Sequence, residues 1–559
     1  MSKSQYMAHQ VNGFSLIDQV MNKQNNKELK TTVTLDFNKM PFLEDHAFHG
    51  RIVTPAVLFL EMIGENALLL FPDYHMPSIK RIDFKGFLWL NEDKATQVMT
   101  EIKVSDFKSD SVTIEGTIYY EHFNKTRQIK RKRMIAIFEA LLKPANYQAD
   151  LYYQFPFFLI SDQIIEKEEI YPDLVGLGES FNQLDSVLQL SPEKGITGLL
   201  LKTDDKKQTE SMNWLLGDPF IRDSAYHLAS IFGNHVMGGF NVPFSMSGIH
   251  FHKALKDKSY FCLAQVIEHT SKESTYSLKI IDNHGLVVES YSRISYTYSV
   301  NIRNDPVHEL IKKRMARIGE LESLTQSIQQ YIPDVGIWSV NMVQKIESFL
   351  LKHLTDDETS IYKKYLRKKS QVEFLGGRLL SKLCLLQTMK KKVTSMSDFT
   401  DLNIKRSDNG SPELFVQGYP KKMPFFSISH KNDYIFCTAH PNRKVGIDVE
   451  GVSERLIKVK EKYVSGEEET LLLTDSPDAR DSHSSLIRRY TELWASKESI
   501  VKYLDSSFLD VAQKAVLKKI ENNKFYFIYN DLNGRPFQLK TVNFTYSNHI
   551  FSILILGMD

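Results

Sequence analysis

Leu43-Glu44-Asp45-His46-Ala47-Phe48-His49-Gly50-Arg51-Ile52-Val53-Thr54-Pro55 runs into the most apolar stretch of the chain, Pro55 to Phe71. That stretch is about as long as one membrane crossing, but Glu61, Glu65 and Asn66 interrupt it and Pro72 closes it. It therefore reads as a buried helix, with Thr54 as N-cap and Pro55 at the first helical position, where its missing N–H is not needed. Upstream, Lys30 to Asn38 alternates Thr32, Thr34 and Asp36 with Val33, Leu35 and Phe37, the period of a half-buried strand. Downstream, Ile79 to Leu142 contains strand-like segments such as Ser111 to Tyr120 and Met134 to Phe138. One helix enclosed by several strands is expected.

The same grammar recurs. Gly198 to Lys202 reads as a strand, Asp218-Pro219 opens a helix ending near Gly233, and strands follow to Val300, with a hairpin at Ile281-Asp282-Asn283-His284-Gly285-Leu286. Two copies of one α+β unit are predicted. Asn304 to Gln329 is charged, contains Pro306 and reads as a polar helix or linker. The expected organisation is a leader over 1–29, units over 30–148 and 149–300, a linker over 301–330 and a second α+β domain over 331–559.

A length of 559 residues implies several domain-sized units, and 42% hydrophobic with 25% charged residues excludes a disordered or fibrous chain. Lys plus Arg (70) against Asp plus Glu (68) leaves +2, so no global field argues for nucleic acid or an anionic membrane as partner. The three cysteines, Cys262, Cys384 and Cys437, are widely spaced in apolar company and read as reduced core thiols. Met1 to Leu16 has no secretory pattern, so a cytoplasmic setting is expected. Lys130-Arg131-Lys132-Arg133 and Lys390-Lys391-Lys392 read as solvated clusters, the second also able to face an acidic partner.

Chemistry is first visible at Val445-Gly446-Ile447-Asp448-Val449-Glu450, an apolar strand whose two carboxylates project from one face. Two adjacent acids call for a cation between them. Trp494, Glu498 and Lys502 share one helix face at i, i+4 and i+8, adding a third carboxylate and an ammonium. Such oxygen donors suit Mg²⁺ shared with a substrate pyrophosphate. Gly446-Ile447-Asp448-Val449-Glu450 with Trp494-Ala495-Ser496-Lys497-Glu498 and Lys502 resembles the signature of 4′-phosphopantetheinyl transferases of the surfactin-synthetase-activating type. Ser427-Ile428-Ser429-His430 and Phe374-Leu375-Gly376-Gly377-Arg378 are similar to further segments of that family, over roughly 331 to 559.

The resemblance implies a pseudo-duplicated α+β domain using coenzyme A and Mg²⁺. Asp448, Glu450 and Glu498 would hold the ion, and Glu498 would help deprotonate a carrier-protein serine. Ser429, His430 and Lys502 would contact coenzyme A phosphates, with Arg378 and Lys368 or Lys369 toward the 3′-phosphate. Gly410-Ser411-Pro412 stands where the family often has Gly-Lys-Pro, so a basic contact is lost or supplied by Lys421 or Lys422.

A second constellation lies in the N-terminal half. His46 precedes Gly50 and the start of the buried helix, where free N–H groups and close backbone approach suit a thioester oxygen. Asp223 and His227 are i, i+4 on the second helix. His46-x-x-x-Gly50-x-x-x-x-Pro55 with Asp223-x-x-x-His227 resembles polyketide-synthase dehydratase domains, which fold as a double hotdog. Gly176-Leu177-Gly178-Glu179-Ser180-Phe181-Asn182-Gln183-Leu184 is similar to that family's Gly-x-x-Phe-x-x-Leu segment, and Pro55-Ala56 departs from its usual Pro-Gly. The resemblance implies His46 as general base, Asp223 as acid on the leaving hydroxyl, His227 as its orienting partner and the Gly50 amide as oxyanion donor. His49 is read as a bystander.

Together the resemblances imply a fusion acting on acyl carrier protein, working with a polyketide or fatty-acid synthase and possible as a homodimer. Two rivals remain at this level: a transferase fused to a non-catalytic hotdog scaffold that docks carrier protein, and a product-template-like hotdog guiding cyclisation.

Overall fold

The computed structural model describes residues 13–48, 50–91, 95–123, 130–203, 212–237, 239–301, 306–407, 411–416, 424–474, 483–530 and 534–555. His49, Lys421 and Lys422 lie outside them. The chain divides into two units, one of residues 1–156 and 164–315, the other of 157–163 and 316–559.

In the first unit, strands β1 (Gln19–Gln24) and β2 (Glu28–Leu35) precede helix α1 (Ala56–Leu70). Strands β3 (Tyr74–Phe84), β4 (Thr96–Lys108), β5 (Ser111–Phe123) and β6 (Lys130–Pro144) follow. The second copy has β7 (Leu184–Ser191), β8 (Gly195–Leu201), α2 (Pro219–Met237), β9 (Gly239–Phe251), β10 (Ser259–His269), β11 (Glu273–Ile281) and β12 (Val287–Asn301). One sheet runs β1-β2-β4-β5-β6-β3-β9-β12-β11-β10-β8-β7, ending on the short strand Ile165–Glu166. The segments β2-β4-β5-β6-β3 and β8-β10-β11-β12-β9 repeat one order, each with its helix inserted after the first strand. They join at β3 and β9, where Ile79 pairs with Ile249 and Asp83 with Ser245. This topology is the double hotdog: two curved sheets fused edge to edge, each wrapping one helix.

The helix starts obey different physics. Asp218 caps α2, its Oδ1 accepting from Phe220 N at 2.9 Å and Ile221 N at 3.2 Å. Thr54 does not cap α1: Pro55 occupies the N-cap without a side-chain bond, and the buried Thr54 Oγ1 has no hydrogen-bond partner. α2 runs to Met237 rather than stopping near Gly233. Residues 19–24, expected in a leader, form a paired strand, because β1 adds its backbone to the edge of β2.

α1 is buried nearly all round, glutamates included. Glu65 accepts from Ser15 N and Leu16 N, both at 2.7 Å, and Glu61 accepts from Leu216 N at 3.1 Å and from Leu215 N. Burial, against the pull of Arg222, pushes Glu61 up to about 7; burial and the Glu61 charge push Glu65 up to about 8. A carboxyl whose folded value exceeds its unfolded one stabilises fully below the unfolded value and loses that contribution as pH rises through the folded one. Thermal unfolding of the first unit should therefore shift downward between about pH 5 and 8, with a loss of several kcal/mol in stability. Glu65→Gln should flatten that slope, as near-UV circular dichroism melts across the range will show.

The second unit holds two main sheets, each backed by a helix, and a two-strand ladder of Leu402–Arg406 with Pro412–Val416. β13 (Asp334–Ser339), α3 (Lys368–Thr388), β14 (Phe425–Lys431) and β15 (Tyr434–His440) form the first half, in strand order β14-β15-β13, with Ile160–Ser161 parallel to β13. β16 (Ile447–Gly451), α4 (His483–Leu504), β17 (Ala515–Glu521), β18 (Lys524–Asn530), β19 (Pro536–Tyr546) and β20 (His549–Ile555) form the second, in order β16-β20-β19-β18-β17. α3 packs on the first sheet and α4 on the second. The stretch expected as a linker is the helix Pro306–Gln329. Within the second unit it is no polar spacer, since Leu321, Leu324 and Ile328 are buried with Val335, Phe436 and Val449.

Candidate active sites

In the second unit, β16 lies beside β14, and Val449 N donates to Ser429 Oγ at 3.2 Å. Ser429 Oγ donates in turn to Asp448 Oδ1 at 2.8 Å. This buried hydroxyl orients Asp448. Lys502, two turns along α4 from Trp494, donates to Asp448 Oδ1 at 2.8 Å. Lys431, missed in the sequence, pairs with Glu450 at 2.7 Å. Burial and the Asp448 charge push Glu498 up to about 7, opposed by Lys502 and aggravated by Glu450. Burial also raises Glu450, with Lys431 opposing. The three carboxylates therefore share one field.

Whether they suit Mg²⁺ is tested by the atoms left over. Asp448 Oδ2 is buried without a hydrogen-bond partner, an oxygen donor free for a hard cation. Among the described residues no three His, Cys, Asp or Glu side chains group closely enough to hold a metal ion. Lys431 and Lys502 occupy two of the acids. As the side chains stand, the donor atom that fits the ion is the unpartnered Asp448 Oδ2, with Glu450 engaged by Lys431.

Gly446, just before β16, is where the chain passes close against α4. A Cβ there would lie 2.1 Å from Ser499 O and 3.0 Å from Tyr503 N, both backbone atoms of α4. Gly446→Ala should push α4 off the strand, costing on the order of 2–3 kcal/mol and misplacing Glu498. A chemical-denaturation curve checks the first effect, and a transfer assay checks the second.

A cleft of about 330 Å³ beside this site is lined by Arg378, His430, Tyr365 and Arg406. Arg378 is buried, its Nε lacks a partner, and its guanidinium lies 4.8 Å from the Phe374 ring centroid. Burial lowers its affinity for a proton, and the nearby Arg406 charge lowers it further. Two cations facing one cleft suit an anion. Arg406 was missed in the sequence; it pairs across a two-strand ladder with Pro412, beside Ser411, and so carries a cation next to the position of the lost family lysine. Ser411 Oγ itself donates to Asp505 Oδ1 at 2.5 Å. Lys368 is not in this cleft: it pairs with Glu347 and lines a neighbouring cavity with Lys369.

In the first unit, His46 Nδ1 donates to Val53 O at 2.7 Å, which leaves Nε2 as the basic nitrogen, 3.8 Å from Asp223 Oδ2. Asp223 Oδ2 lies 2.9 Å from His227 Nε2, yet no donor is aligned on it. Tyr171 OH lies 3.4 Å from His227 Nδ1. Burial pushes the His46 imidazole below its ordinary value. Burial alone would raise Asp223, but the close His227 imidazole and, further off, His46 outweigh it and hold the carboxyl below its usual range.

Asp45, another residue missed in the sequence, accepts from Ser180 N at 3.1 Å and Ser180 Oγ at 2.6 Å, and its carbonyl accepts from Gly178 N. Those bonds bring Phe181 to 4.9 Å from the His46 ring. The Gly-x-x-Phe segment is thus a wall of the site. Gly50 is not at the helix N-terminus; it turns the hairpin between Ala47–Phe48 and Arg51–Ile52 with φ +71°, a conformation that favours glycine.

A double hotdog with a histidine facing an aspartate, joined to a duplicated α+β domain with clustered acids, defines the class of this chain. The polyketide synthase dehydratase domain family matches residues 15–119, and the 4′-phosphopantetheinyl transferase superfamily matches residues 444–551. The holo-[acyl-carrier-protein] synthase of Geobacillus sp. (strain WCH70) is 32% identical over 93 residues, 17% of this chain and 76% of that protein. The chain belongs to the 4′-phosphopantetheinyl transferase superfamily, and its residues 15–119 are similar to the polyketide synthase dehydratase domain family.

The 4′-phosphopantetheinyl transferase gsp of Aneurinibacillus migulanus is 26% identical over 157 residues, 28% of this chain and 57% of that one. A polyunsaturated fatty acid synthase polypeptide of a Thraustochytrium species is 22% identical over 224 residues, 39% of this chain and 8% of that protein. The chain thus spans a little over half of the first of these two and a small part of the second. The dehydratase domain from the CurF module of curacin polyketide synthase aligns over 52% of this chain and 100% of that one, at 15% identity and a TM-score of 0.44.

Proposed function

We propose that the protein loads acyl carrier protein with phosphopantetheine from coenzyme A and dehydrates β-hydroxyacyl groups carried on that arm. The observation that carries the proposal is the pair of unsatisfied buried carboxylate oxygens, Asp448 Oδ2 and Asp223 Oδ2, one in each unit and each at the centre of its acid or acid–base group.

For transfer, Arg378, Arg406 and His430 bind the nucleotide end of coenzyme A. Asp448, Glu498 and Glu450 would hold Mg²⁺, which supplies charge neutralisation at the pyrophosphate. Glu498, pushed up to about 7, is poised to take the serine proton, directly or through water. The serine oxygen forms a bond to the β-phosphorus, the bond to 3′,5′-ADP breaks, and Lys502 steadies Asp448 throughout.

For dehydration, His46 Nε2 removes the α-proton. Asp223 is an anion in the free site, so the proton it gives the leaving hydroxyl must reach it, and His46 is 3.8 Å away. One proton therefore passes from Cα to His46 to Asp223 to the hydroxyl: the Cα–H and C–O bonds break, a C=C bond forms and water leaves. His227 orients Asp223, and the Gly50 amide would receive the thioester oxygen.

The partner would be an acyl carrier protein of a polyketide or fatty-acid synthase. Three buried free thiols are compatible with a cytoplasmic setting. Separate assays test the two activities: release of 3′,5′-ADP in the presence of apo-carrier, and the 3-hydroxyacyl to enoyl conversion on a pre-loaded carrier. Failure of either with several carriers removes that half of the proposal.

A further inference from the structure

Between the helix Asp356–Lys364 and α3 the chain turns through Lys363-Lys364-Tyr365-Leu366-Arg367-Lys368-Lys369, five cations without an acid. Leu366 sits at the turn 99% exposed, the most exposed large hydrophobic among the described residues. A single exposed leucine means little by itself; its surroundings give it a use. Lys363, Lys364 and Arg367 form no ion pair among the described residues, while Lys368 and Lys369 are paired only with Glu347 and Glu373.

The turn also stands at the rim of the chemistry. Tyr365 lines the cleft of Arg378 and His430. Lys368 and Lys369 line a cavity that includes Asn432, and Asn432 also lines the cleft holding Lys431, Glu450 and Trp494. An apolar knob in a cationic ring at this rim is complementary to an acidic surface with a small apolar depression.

We infer that the turn 363–369 is the docking surface for the apo-carrier protein, with Leu366 inserted between the carrier's helices and the cations facing its acidic side chains. This rests on the transferase proposal and extends it, since a partner held here sits at the rim of the cleft that holds Lys431 and Glu450. A chain with net charge of only +2 makes a local basic knob a means of choosing an acidic partner rather than of binding polyanions at large.

The test is direct binding of a fluorescent apo-acyl carrier protein to the full chain, by anisotropy, for wild type, Leu366→Asp and the pair Lys364→Glu with Arg367→Glu. Each variant should weaken binding at least tenfold, and raising salt from about 50 to about 300 mM should weaken only the wild type and Leu366→Asp appreciably. Leu366→Met should bind as wild type, and coenzyme A affinity by calorimetry and the melting temperature should be unchanged in all. Unchanged carrier binding in both disruptive variants would overturn the assignment, as would a loss of coenzyme A affinity that accounts for the whole effect, or tight anionic-vesicle binding by wild type with carrier binding unaffected. If wild type binds carrier through this turn yet transfers nothing, the docking surface stands and the transferase proposal falls. If wild type does not bind carrier, the assignment falls.

Discussion

Replacing Glu498 with glutamine should lower phosphopantetheine transfer by about 10³-fold while leaving dehydration of a pre-loaded carrier at the wild-type rate. The size follows from two losses at once. An amide at this position cannot take a proton, and the change removes one of three carboxylates that share a field around the free Asp448 Oδ2. Stability should not suffer. Burial raises Glu498 against its own ionisation, so the neutral amide removes an unfavourable charge. A variant that melts no lower than wild type and loads carrier about 10³-fold more slowly separates chemistry from folding; loading within a few-fold of wild type would remove Glu498 from the mechanism. Asp448→Asn should behave similarly in transfer but should also leave Lys502 and Ser429 with only an uncharged shared acceptor.

His46→Ala and Asp223→Asn should each lower dehydration by roughly 10²- to 10⁴-fold, the usual range for loss of a general acid or base, with transfer intact. The pH profile gives the sharper reading. The base acts unprotonated, and burial pushes the His46 imidazole below its ordinary value. The acid limb of kcat/KM should therefore fall below the usual imidazole range near about 6.5, so activity persists into mildly acidic buffer. Asp223→Asn keeps the shape of the site but interrupts the relay from His46 to the hydroxyl. If both variants dehydrate at the wild-type rate, the N-terminal unit is a scaffold for the carrier.

Period and punctuation make most of the architecture legible in the amino-acid sequence. Two helices, each followed by strands, stand out by their period, the first by its apolar run from Pro55 to Phe71, and Asp218-Pro219 marks a helix start by a mechanism the structure retains. β1 was not legible, because an edge strand with one exposed side carries no apolar alternation: Asn22, Lys23 and Gln24 read as loop. Thr54 misled for a different reason. Its side chain matches a cap, but the chain enters α1 from Val53, which bridges to Trp89 and leaves Pro55 at the cap instead.

At the sites, spacing on one element was readable and contact between elements was not. Asp448 with Glu450, and Asp223 with His227, are local patterns. Lys431 and Asp45 enter through contacts with Glu450 and Ser180, and Arg406 through its ladder with Pro412. Ser429 is legible from its neighbour His430, while the bond of its hydroxyl to Asp448 arises only where two strands meet.

Intact-mass spectrometry of an apo-acyl carrier protein incubated with this protein, Mg²⁺ and a β-hydroxyacyl-coenzyme A tests the pairing of the two halves in one tube. The expected record is a mass gain equal to the acylated phosphopantetheine arm, followed by loss of one water from the loaded species. No mass gain with any of several carriers, under conditions where the protein is folded and binds coenzyme A, would contradict the account at its centre.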